Sequence, residues 1–135
     1  MNISSFDDLL QAARQQSTPQ RLLFVFVTVE LPRDSTLAQR ENFLAGQGGS
    51  LEPVMSLDRT AQELRSFADL VEESAQFGHD WRLVFVAALA GSTGVMPTSE
   101  SAERPLQAMV EAIKAGTFGN YIPFDQEGYA VQLDH

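Results

Sequence analysis

The residues with the best spacing for chemistry are Gly91-Ser92-Thr93-Gly94, a small-residue run directly after an apolar segment. Such a run exposes backbone N–H groups and adds two hydroxyl donors, the ingredients of an anion cradle ahead of a helix. It lacks the lysine that follows a P-loop and the third glycine of a dinucleotide fingerprint. A plain turn accounts for the same four residues. A second polar group follows another apolar segment: Glu30 and Arg33, with Thr28 before them and Asp34 after. In a parallel sheet, ligands bind beyond the carboxyl ends of strands, where the strand order reverses. That rule places Glu30, Arg33, Gly91, Ser92, Thr93 and Gly94 around one crevice, at the C-terminal ends of strands 21–30 and 82–90. The chemistry expected there is binding of a small ligand or an anion.

Other reactive side chains have structural roles ready to hand. Asp58-Arg59 follows an apolar segment, yet Asp58 also suits the cap of the next helix. His79 stands beside Asp80 in a turn at the other edge of the expected sheet, and His135 is the final residue. No serine sits in a nucleophile elbow. With no cysteine, a thiol nucleophile, disulfide, thiolate metal site or iron–sulfur cluster is excluded. Two separated histidines do not compose an ordinary zinc site, and no calcium-loop spacing occurs. No catalytic residue, metal ligand or cofactor is assigned.

The elements that must position these residues follow from periodicity. Phe6, Leu9, Leu10 and Ala13 recur on one helical face, with Ser4 or Ser5 as cap and Asp7 and Asp8 in the first turn. Arg21–Glu30 is a continuous Val- and Phe-rich run, expected as a strand covered on both faces. Asp34-Ser35-Thr36 caps a short helix to about Ala45, and Gly46-Gln47-Gly48-Gly49-Ser50 is a linker. Leu51–Leu57 is a weaker strand whose Pro53 suggests a sheet edge or a strand that starts after the proline. Thr60-Ala61-Gln62-Glu63 is a capping-box pattern opening a helix to Phe77, with Glu63, Asp69, Glu72 and Glu73 on its polar side. Trp81–Ala90 is the second strong strand. A helix from about Ser101 buries Leu106, Met109, Val110 and Ile113, with Pro105 acceptable in a first turn. Tyr121–Phe124 and Tyr129–Leu133 flank Asp125–Gly128 as a hairpin. The expectation is one α/β domain over 1–135. It is three-layered, with a largely parallel sheet of four to five strands in the order 2-1-3-4, helices on both faces and a C-terminal β-hairpin.

Composition limits the partners. The 135 residues carry 18 acids against 9 bases, a formal net charge of −9, and Lys114 is the sole lysine. Nucleic acid and anionic membrane both require clustered Lys and Arg, so neither is an expected partner. The apolar runs Leu22–Val27 and Leu83–Ala90 are too short to span a bilayer, and the acidic N-terminus lacks the pattern of a secretory signal. A cytoplasmic location is expected.

Several stretches resemble a known family taken together: Ser4–Leu10 leading to Arg21–Phe26, then Ala45–Gly49, Leu70–Ser74, Trp81 with Val84–Leu89, Met109–Gly116 and Ile122–Asp125. The chain resembles a family of short proteobacterial proteins of unknown function whose members are often labelled ribonucleotide reductase subunit alpha. That enzyme resembles a large barrel using a thiyl radical and a redox-active cysteine pair. A sequence of 135 residues without cysteine supplies neither, so a reductase catalytic subunit is not the expectation.

Three functional readings stand. One is a non-catalytic interaction protein, with a two-fold homodimer as the expected form of self-association. Another is a small-ligand or anion binder, or an enzyme, using the Glu30–Arg33 and Gly91–Gly94 crevice. The third is docking of the acidic helix Thr60–Phe77 against a basic surface.

Overall fold

The computed structural model describes residues 5–30, 50–78, 80–91, 94–119 and 121–131. Among them the chain forms α1 (Phe6–Arg14), β1 (Gln20–Glu30), β2 (Ser50–Thr60), α2 (Phe67–Ala75), β3 (Leu83–Ala90), α3 (Ser99–Ala115) and β4 (Ile122–Phe124). The helix expected over 36–45 and positions 46–49 of its linker lie outside the described residues, while Ser50 opens β2.

The four strands are ordered β2-β1-β3-β4, as expected, but every neighbouring pair is antiparallel. The expectation of a largely parallel sheet is therefore corrected. Glu30 pairs with Ser50 and Arg21 with Thr60, so β2 runs back along β1 from the end at which β1 finishes. A continuous apolar run shows that both faces of a strand are covered. It does not encode the direction of the neighbouring strand, and helices can cover an antiparallel sheet equally well.

Strand alternation divides the core in two. Leu22, Phe24 and Phe26 of β1 join Leu57, Val84, Val86 and Phe124 beneath Phe6, Leu9 and Leu10 of α1 and Phe67 and Leu70 of α2. Leu23, Val25 and Val27 point the other way, where Phe85 and Phe118 meet Ala102, Met109 and Ile113 of α3. Phe6 is fully buried at the centre of the first cluster. Its ring lies 5.8 Å from Phe24, 5.4 Å from Phe67 and 5.6 Å from Phe124, the last pair edge-on. Such offset and edge geometries add to the hydrophobic term.

Local chemistry sets the element ends. Ser5 caps α1 by accepting from Asp8 N–H, with Asp7 and Asp8 in the first turn. Pro53 lies on β2, an edge strand of this sheet, where the β1–β2 register slips by one residue opposite Phe26 and Val27. A proline has no N–H for a ladder, so an edge and a bulge are where it fits. The capping box does form: Thr60 N–H donates to Glu63 Oε1 at 2.8 Å, and Glu63 N–H donates to Thr60 Oγ1 at 3.2 Å. It closes only a turn, however. β2 runs on through Thr60, and α2 begins at Phe67 after the cap Ser66, shorter than expected. Ser66 accepts from Asp69 N–H, while Asp7 of α1 accepts from Phe67 N–H at 3.0 Å.

α3 starts earlier than expected, with Thr98 as cap, so Pro105 lies inside the helix rather than in its first turn. Its ring denies the Ser101 carbonyl the usual helical donor. At the C-terminal end, Asp125–Gly128 reverses the chain, with Asp125 Oδ1 accepting from Glu127 and Tyr129 N–H. Among the described residues the returning arm makes single bridges, Phe124 to Ala130 and Ser5 to Tyr129; positions 132 and 133 of the strand expected over Tyr129–Leu133 lie outside them.

Candidate functional site

Antiparallel pairing takes the expected crevice apart. Glu30 ends β1 beside Ser50, whereas Gly91 follows β3 at the opposite end, where Ala90 pairs with Gln20. Ten strand residues at about 3.3 Å each put roughly 30 Å between Glu30 and Gly91. Arg33, Ser92 and Thr93 lie outside the described residues, as do His79 and His135. The Gly91 N–H, a donor in the cradle reading, is already given to the Pro19 carbonyl at 2.8 Å. Gly91 is a close-approach residue: a Cβ there would lie 1.9 Å from the Val95 carbonyl oxygen. Gly94 has φ +78 with open space around it, the left-handed conformation a turn requires. Both glycines thus have geometric roles in turning the chain from β3 toward α3.

Two polar clusters do assemble. The first lies on the α3 face of the sheet. Arg21 Nη1 meets Asp58 Oδ2 at 2.5 Å, with the two side chains 13% and 15% exposed. Arg21 Nε donates to the Pro97 carbonyl at 2.6 Å, and the Ser99 hydroxyl donates to Asp58 Oδ2 at 2.6 Å. Asp58 is therefore neither a helix cap nor a free carboxylate. It is a strand residue that stands where an anion would sit, between an arginine and the first turn of α3. The cluster ties β1 and β2 to the entry of α3, and its charges are matched within the chain.

The second cluster lies along α2. Glu63, Arg65, Asp69, Glu72, Glu73 and Gln76, with Leu64, line an open recess of about 250 Å³. Four of these side chains are carboxylates and one is a guanidinium. Arg65 reaches Asp69 one turn on, Nε to Oδ2 at 3.0 Å. That hydrogen bond, with the Arg65 N–H and charge, holds the Asp69 carboxyl below its ordinary pKa and raises that of Arg65. Glu63 is likewise lowered, chiefly by the Thr60 N–H. Arg59, projecting from β2 to this face, meets Glu73 Oε1 at 3.2 Å and donates to the Asp58 carbonyl at 2.6 Å. Glu73 Oε2 is buried and has no hydrogen-bond partner among the described residues.

The acidic side of α2 was legible in the spacing of Asp69, Glu72 and Glu73. The contribution of Arg59 was not, because only the pairing of β2 brings it under the helix. Among the described residues, no group of three or more His, Asp or Glu side chains is placed to hold a metal ion. No helix among them is long and apolar enough to cross a membrane. The buried Ser74 hydroxyl serves the core, accepting from Trp81 Nε1 at 3.0 Å and donating to the Val71 carbonyl at 2.6 Å. Comparison of the chain with protein-family models, curated proteins and solved structures finds no match.

Proposed function

We propose that this chain is a non-catalytic interaction protein that docks a basic protein surface in the acidic recess along α2. The observation that carries the reading is Glu73 Oε2, a locally occluded carboxylate oxygen with no hydrogen-bond donor among the described residues, on a side chain that is 34% exposed and paired to Arg59 through Oε1. An acceptor oxygen shielded from water favours any donor that reaches it. An arriving ammonium or guanidinium would supply the missing donor and meet the carboxylates of Glu63 and Glu72 around it. The spread of these carboxylates suits several cationic side chains better than one compact ion. The net charge of −9 favours encounter with a basic partner and makes the association salt-dependent.

The test is a titration of the 15N-labelled chain with hexa-arginine, read by amide shifts. The expected result is a set of shifts concentrated at residues 63–76 that weakens as salt is raised. The double reversal Glu72→Lys/Glu73→Lys should abolish it, and Glu73→Gln should weaken it with the fold intact. Shifts spread evenly over other acidic positions such as Glu100, Glu103 and Glu127 would overturn the reading. So would binding that survives the double reversal in a folded variant.

A further inference from the structure

We draw no further inference here: the strongest candidate, the Arg21 side-chain cluster at the N-terminal turn of α3, already has its anion position filled by the chain's own Asp58 with the Ser99 hydroxyl, and nothing else at that helix end points to a ligand.

Discussion

Separating Arg21 from Asp58 should cost far more than loss of a surface ion pair. The contact is 2.5 Å, both side chains are more than four-fifths buried, at 13% and 15% exposure, and each charge has further polar partners. Removing one member of a fully buried pair costs about 3–5 kcal/mol, whereas an exposed pair is worth about 0–1 kcal/mol. The residual exposure here places each single substitution between those limits, at about 2–3 kcal/mol. Arg21→Met keeps the aliphatic stem but strands the carboxylate; Asp58→Asn keeps the shape but strands the guanidinium. The double variant removes both charges and should cost about as much as either single one. The coupling energy is then about 2–3 kcal/mol, at the upper end for neighbouring residues. Urea unfolding followed through Trp81 measures it. That indole is 7% exposed, packs 5.0 Å from the Phe26 ring and lies with it on the face of the sheet opposite the Arg21–Asp58 pair, so it reports global unfolding. The urea midpoint should fall with the slope unchanged. Single variants within about 0.5 kcal/mol of the parent, or strictly additive effects, would refute the buried pair. They would also remove support for the antiparallel register that sets Asp58 opposite Leu23.

Three further outcomes follow from geometry. Gly91→Ala should destabilise by more than about 2 kcal/mol, because its Cβ would overlap the Val95 carbonyl. Gly94→Ala should cost about 1–2 kcal/mol, for its left-handed φ alone; thermal melts that rank the two equally would contradict this. Ser74→Ala leaves the buried Trp81 indole N–H without its acceptor, so it should cost about 1–3 kcal/mol and shift the Trp81 emission. An unchanged spectrum and midpoint would argue against that bond. Glu63 and Asp69 have folded-state pKa values below their ordinary ones. Their stabilisation is full above the ordinary carboxylate range and is lost as pH falls through it toward the depressed folded values. Glu63→Gln should therefore flatten the decline of stability below about pH 5. A decline as steep as the parent's would show that ionisation of Glu63 contributes nothing to stability.

Much of the local structure was legible in the sequence, and the reason is periodicity. The faces of α1 and of α3 and the two-sided burial along Leu22–Val27 follow from which positions are apolar, whereas the equally apolar Leu83–Leu89 run is buried only at Val84, Phe85 and Val86 and exposes Ala88. Pro53 marked an edge strand because a missing N–H is a local fact. Ser5 and the Thr60–Glu63 box likewise act through neighbours three residues away, although the box closes a turn rather than opening α2. The same local rules misplaced Pro105, since where a helix begins depends on what its first turn packs against. Here that is the Arg21 and Asp58 cluster, whose members are brought together by sheet pairing.

Strand direction was the decisive quantity that the sequence left open. An apolar run has the same pattern whether its neighbour runs parallel or antiparallel, so the hydrophobic pattern of Arg21–Glu30 could not choose. Tertiary pairing chose the antiparallel arrangement. That single choice sent Glu30 and Gly91 to opposite ends of the sheet, put Asp58 on Arg21 and brought Arg59 beneath Glu73. The sequence by itself determined the buried face of α1, the two-sided burial of Leu22–Val27 and which side of α2 is acidic. Only the tertiary structure decided which charges meet, because contacts between distant residues depend on the direction and register of strands.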